Sequence, residues 1–404
     1  MSNGEIARRE FLTGALASGA GLGMLSAHAQ DGGATPAPVP EPAKRVPRRP
    51  LGKTGADVPI LIMGCCQTLD PAYDKRLHRC YQLGVDHLDT AQMYAQGQSH
   101  KTIAPFIKQI GDRKKLWITS KVFQEGAKGT PEDFKTNLDS CLQDLETDYL
   151  DMFLLHIVQD PRLLGPEFIK MGEELKKSGK IRFFGFSCHH ADSIPMLMNK
   201  AAESGGFDTV MFRYSFRECG DLALNKAIDA CHKAGIGLIA IKTLASVPDD
   251  QEQVKQFQSK SFTLTQAKLK AVWADERIAA IASQMTAVEH VMENSAAAMS
   301  PEKLAMEEFM QLQQFAARSS HHHCKGCAGV CESCIDGPLR VADTLRYLMY
   351  AECYGQRDAA RAMYAELPRE QRMLEGVDLR AAIAACPQGI DLAGRLARAQ
   401  ELLA

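Results

Sequence analysis

The sequence is short of net charge. Its 404 residues carry 47 Lys and Arg against 49 Asp and Glu, for −2 at pH 7. Nothing in that balance draws the chain to nucleic acid, whose phosphates select clustered positive charge. Long apolar runs are missing too. None approaches the ~18–20 residues of a membrane-spanning helix, so no membrane span is expected. No Gly-x-Gly-x-x-Gly follows the first strand candidate, which counts against an open doubly wound sheet with a dinucleotide site of that kind. The 13 cysteines do not form a disulfide pattern. Their number is odd, and they divide between a scattered set from Cys65 to Cys231 and a group after residue 320. The scattered set is expected to be small buried hydrophobes.

The N-terminus has a pattern of its own. Arg8-Arg9 precede Glu10, Phe11 and Leu12. A mildly apolar stretch from Gly14 to Leu25 follows, ending in Ala27-His28-Ala29, a small-x-small cleavage site. The segment resembles a twin-arginine (Tat) signal, with Thr13 in place of the usual Lys and Ala7 in place of Ser or Thr. That resemblance implies export of an already folded chain by the Tat machinery to the periplasm, with any cofactor inserted beforehand. We assign residues 1–29 to the signal and 30–50 to a Pro-rich tether.

From residue 51, short apolar runs alternate with amphipathic stretches. The runs are 58–64, 84–89, 115–121, 148–156, 181–187, 207–212, 235–242 and 277–283. Eight strand candidates at intervals of about 25 to 35 residues leave room for a helix after each. The stretch PEDFKTNLDSCLQDLE is one such helix, and GPEFIKMGEELKKSG is another, closed by Gly179. The fold class expected is α/β: a (β/α)8 TIM barrel over 51–300, with a small, mostly helical, cysteine-rich extension over 301–404.

Barrel chemistry gathers at the C-terminal ends of strands. Asp89 closes the second run, Lys121 the third and His156 the fourth, and Tyr94 lies just beyond Asp89. A lone His at a strand end is commonly structural, and Asp-Thr is a routine N-cap pair. Their coincidence at three consecutive strand ends points to chemistry.

LGKTGADVPILIMG, HLDTAQMYAQGQS, WITSKV, LLHIV and KIRFFGFS together resemble the aldo-keto reductases, over about residues 50–298. The resemblance implies hydride transfer between NADP, or NAD, and a small-molecule carbonyl or alcohol substrate. It makes Tyr94 the proton donor, Lys121 the group that lowers its pKa, Asp89 the partner of Lys121, and His156 the residue that orients the carbonyl. It also places Ser187 on the nicotinamide carboxamide, Tyr214 against the ring, and Glu293 and Asn294 on adenine. Lys242 is a candidate for phosphate, or a solvated lysine beside the barrel. Met211 stands where many relatives carry a carboxamide-binding Gln, and SQMT lacks the basic residue that often holds the 2′-phosphate.

The group after residue 320 is compact. Cys324, Cys327, Cys331 and Cys334 are spaced by two, three and two residues, and Cys386-Pro387 follows downstream. Such spacing converges thiolates on one point, as in an iron–sulfur cluster or a zinc site. The tail resembles the ferredoxin-like extension of some aldo-keto reductases, which implies a single 4Fe-4S cluster. Either the four local cysteines hold it, or three of them with Cys386. The cluster would staple the tail or exchange electrons with a redox partner protein. An exported reductase is the leading function. The alternative is a non-catalytic iron–sulfur electron-transfer or binding protein built on a barrel that has lost reductase activity.

Overall fold

The structure is a computed structural model that describes residues 44–123, 129–248 and 256–404. Residues 1–29, where an export signal is expected, and most of the expected tether lie outside the described residues. The last part of that tether does not. Val46 is buried and donates its N–H to the Leu83 carbonyl. Strand β1 (Arg48–Pro50) pairs antiparallel with β2 (Asp57–Pro59). Leu51, in the connection, is fully buried among Met152, Leu154, Met211 and Ile239 inside the barrel. The hairpin turn is a close fit. Gly52 takes φ 53°, and a Cβ there would stand 2.3 Å from the Gly235 carbonyl oxygen, so only glycine suits it.

Eight parallel strands close into a barrel. They are β3 (Leu61–Gly64), β4 (His87–Asp89), β5 (Trp117–Val122), β6 (Leu150–Leu155), β7 (Ile181–Cys188), β8 (Thr209–Arg213), β9 (Gly237–Ile241) and β10 (Ala280–Gln284), and β10 pairs back onto β3. All eight apolar runs contain a barrel strand, as expected for a (β/α)8 fold. The first run splits, because its residues 58 and 59 belong to the hairpin and only 61–64 enter the barrel.

The helices follow their sequence signals. Pro131–Leu145 begins with a capping box between Thr130 and Asp133. Pro166–Lys177 ends just before Gly179, which takes φ 78°. The large apolar layer lies between barrel and helices, from Leu77 and Ile103 round to Ile281 and Val291.

The extension is helical and has its own core. Helix Met306–Arg318 lays Leu312 and Phe315 against Phe216, Val247 and Phe262 of the barrel. Beyond it, helices Val341–Cys353, Arg357–Glu366 and Leu392–Leu403 enclose a second apolar cluster built on Leu345, Leu348, Tyr364 and Leu396. Cys331 is buried in that cluster, and Cys324 and Cys386 pack against it. A core this small is marginal without a cross-link or a metal.

Candidate active site

The barrel delivers its polar strand ends to one mouth. Asp89 is the last residue of β4 and Lys121 the penultimate residue of β5. Both are buried, and Lys121 Nζ lies 2.7 Å from Asp89 Oδ1. The same ammonium donates to the Thr90 carbonyl at 2.8 Å and stands 3.5 Å from the Tyr94 hydroxyl. Tyr94 is held by an unusual turn. Ala95, Gln96 and Gly97 take positive φ in succession, at 52°, 54° and 78°, before helix Ser99–Ile110 begins. His156 follows β6, its N–H on the Val122 carbonyl. Its ring meets that of Tyr94 edge-on, with centroids 5.5 Å apart. The four residues that the sequence singled out therefore stand together.

Their electrostatics are set by burial. Burial is the largest influence on Asp89 and raises its pKa, against the pull of Lys121. Burial also drives His156 well below its usual value, helped by Lys121, Lys242 and Arg346. Neither ring nitrogen of His156 has a partner among the described residues, although both are buried. Buried polar atoms left this way mark where a polar ligand fits. The Tyr94 pKa runs against the sequence expectation. It is pushed well above the usual phenol value, first by burial and then by Asp89, Cys66 and Tyr350. Asp89 neutralises Lys121 at 2.7 Å, so little of that charge is left for the phenol. Tyr94 is thus held as an acid, a proton donor throughout the neutral range.

The nucleotide residues divide. Ser187 is buried in β7, and its Oγ accepts the Ile157 N–H at 3.0 Å, so its own hydrogen is free to donate. Asn294 is buried, donating to Ser283 Oγ at 3.1 Å. Glu293 accepts from Thr263 Oγ1. Lys242 is neither solvated nor free, because it donates to the Tyr350 hydroxyl of the extension. Tyr214 does not reach the mouth. It packs in the layer between barrel and helices and donates to Asp275 Oδ2 at 3.2 Å, in the turn before β10. Side chains alternate along a strand, so Met211 faces the barrel interior and Phe212 and Tyr214 face outward.

Sequence reasoning missed three residues here. His189 follows β7, its ring centroid 6.0 Å from that of His156, and its Nδ1 has no partner among the described residues. Arg213 ends β8, and Cys66 follows β3. The signal was available, since each closes an apolar run just as Asp89, Lys121 and His156 do. The extension supplies the rest. Tyr354 accepts from the Ser246 N–H at 3.3 Å, and Gln356 donates to Gln284 at 2.7 Å. Gly326 accepts from His190, and His323 meets Arg213 at 2.7 Å. The tail is thereby fastened over the ends of β7 to β10.

The cysteines separate as well. Burial pushes the Cys331 thiol up to about 12, and Cys324, Glu332, Cys327 and Cys386 push the same way. Cys324 and Cys386 pack against the apolar cluster that holds Cys331. Cys334 is exposed and donates to the Val330 carbonyl at 3.3 Å. Among the described residues, no three His, Cys, Asp or Glu side chains are drawn together at metal-binding distances.

The neutral imidazoles predict an acid sensitivity. His87, His156 and His189 lie well below the ordinary value, and His100 is near 4, in each case chiefly through burial. The unfolded chain protonates such rings below about pH 6.5. Their contribution is complete above that pH and is lost as pH falls toward the folded values, at up to about 1.4 kcal/mol per pH unit for each ring. Asp86 and Asp89, raised by burial, act in the opposite sense but lower in pH. The urea midpoint of the full chain should fall between about pH 7 and about pH 5, with net proton uptake on unfolding. A flat midpoint would contradict neutral buried rings.

Comparison with known proteins agrees with this geometry. The model of the Aldo/keto reductase family matches residues 68–307. The chain is similar to L-galactose dehydrogenase of Arabidopsis thaliana, 22% identical over 294 residues, which is 65% of this chain and 92% of the relative. It is also similar to an uncharacterized oxidoreductase, YqkF, of Bacillus subtilis, 24% identical over 303 residues, or 66% and 95% of the two chains. An aldo-keto reductase of Bacillus halodurans in its holo form shares the fold, with a TM-score of 0.56 at 22% identity over 67% of this chain and 96% of that one. With eight strands closed, Asp89, Tyr94, Lys121 and His156 at the mouth, and the family match over most of the barrel, the chain belongs to the aldo/keto reductase family and is an NAD(P)-dependent oxidoreductase of that type.

Proposed function

We propose that the chain is an exported reductase that moves hydride between NADP(H) and a carbonyl or alcohol substrate, and that its tail holds a 4Fe-4S cluster. The observation that carries the reductase part is the buried Lys121–Asp89 pair beside Tyr94, facing the unpaired nitrogens of His156. Export rests on Arg8-Arg9 and the segment that follows them.

The site fits the nicotinamide end of the nucleotide. Ser187 has a free donor and would hold the carboxamide, Lys242 and Arg213 would meet phosphate, and Asn294 with Glu293 would meet adenine. Tyr214 takes no part. The nucleotide supplies the hydride. The chain's residues do the rest. Tyr94, protonated, gives its proton to the oxygen of the substrate carbonyl. Lys121, fixed by Asp89 and the Thr90 carbonyl, keeps the phenol in place. His156 stays neutral and offers a hydrogen bond to the same oxygen. The tail covers the mouth and keeps water from the developing charge.

The tail also fits a cluster by its donor chemistry, three thiols with short spacing and a fourth from Cys386 downstream, around one small core. Cys324, Cys327, Cys331 and Cys386 would hold it, and Cys334 would not. The cluster would supply a staple for the tail and a one-electron relay. The test is anaerobic purification of the full chain, with iron, sulfide and nucleotide measured beside an NADPH-linked aldehyde assay. About four irons per chain with matching sulfide, and NADPH oxidation, are expected. Zinc without iron would sink the cluster, and no turnover on any aldehyde would sink the reductase.

A further inference from the structure

The cleft beside the tetrad is basic. It lies between the barrel mouth and the tail. Arg213 and Lys242 reach it from strand ends, and Arg346 and Arg395 from the tail. Among the described residues, no carboxylate lines it. Three of the cations are tethered from behind. Arg213 pairs with Glu218 at 3.4 Å, Arg346 with Asp343 at 2.7 Å, and Arg395 with Glu352. Lys242 meets only the hydroxyl and ring of Tyr350. Half-buried cations without a facing counter-charge are costly unless an anion joins them.

Arg346 is the informative one. It lies on helix Val341–Cys353, outside the barrel altogether. Its bonds to Asp343 and Tyr347 both use Nη2, leaving Nη1 and Nε for a ligand. It lines the cleft together with His189, whose ring centroid is 6.0 Å from that of His156, which puts it near the catalytic end.

We propose that this cleft selects carbonyl substrates bearing a carboxylate or phosphate group, with Arg346 of the tail as the anion-binding residue. The inference rests on the reductase reading above. An anionic group can also come from the nucleotide's own phosphates. Arg346 shares the cleft with His189, whose ring stands 6.0 Å from that of His156, and this nearness to the reacting carbonyl favours the substrate. The tail then has a catalytic purpose, since it completes the substrate pocket.

The experiment compares succinic semialdehyde with its methyl ester, a pair that differs in charge at one end. The full chain should favour the acid by about 100-fold in kcat/KM. Arg346→Ala should bring that ratio near unity, and Arg346→Lys should keep part of it, since charge survives without the fork. Equal turnover of acid and ester by the unaltered chain overturns the proposal. So does an Arg346→Ala variant that binds NADPH more weakly yet keeps the acid preference, which assigns the anion to the nucleotide. If neither aldehyde is reduced, the reductase reading fails and calorimetric titration with succinate decides this one. Heat that vanishes in Arg346→Ala and persists in part in Arg346→Lys upholds an anion site, and no heat with the unaltered chain, or heat unchanged in Arg346→Ala, removes it.

Discussion

Replacing Tyr94 by Phe should lower kcat for aldehyde reduction about 10²- to 10⁴-fold, the range lost when a positioned proton donor is removed. The phenol is held protonated by burial and by Asp89, so it enters the reaction as an acid. Phe keeps the ring that packs edge-on against His156. The fold should therefore survive, and NADPH affinity should stay within a few-fold. Lys121→Met should behave differently. It leaves the buried Asp89 carboxylate without its 2.7 Å partner, and breaking a buried pair in this way costs about 3–5 kcal/mol of stability. Adding Asp89→Asn should recover most of that stability and none of the activity. Steady-state kinetics with urea melts on the same samples separates the two effects. A Tyr94→Phe variant within threefold of the parent would remove the phenol from the reaction.

The second large effect belongs to the tail. Cys331→Ser or Cys386→Ser should reduce bound iron from about four per chain to under one. The small core around Leu345, Leu348 and Leu396 should then open to protease. Cys334→Ser should keep its iron, because Cys334 is exposed. Iron content, and the rate at which trypsin cuts within 320–404, check both expectations. Loss of iron from Cys334→Ser with full retention in Cys386→Ser would reassign the cluster to the four local cysteines. The same variants should lose the acid-over-ester preference, since helix Val341–Cys353 carries Arg346 to the mouth.

The barrel was legible in the sequence because its cues are local. Apolar runs of strand length, caps such as Thr130 and Asp133, and turn glycines such as Gly179 each act over a few residues. Asp89, Lys121 and His156 were legible for the same reason, as polar residues that close apolar runs. What depends on strand direction was less so. Tyr214 and Arg213 are adjacent, and a pleat sends one outward to Asp275 and the other to the mouth. Only register decides which.

The sequence by itself determined the eight-strand alternation, the tetrad, the twin-arginine segment and the cysteine spacing. Each is a pattern carried by neighbouring residues. The tertiary structure alone decided that the tail roofs the active site. Arg213 meets His323 across 110 residues of chain, and Lys242 meets Tyr350 across 108. It decided that Cys331 is buried in the core of the tail, with Cys324 and Cys386 packed against that core, while Cys334 faces solvent. It also decided that Tyr94 is held as an acid, because burial, then Asp89, Cys66 and Tyr350, outweigh the opposing charge of Arg346. Contacts between distant segments, and the desolvation they impose, leave no trace in local pattern.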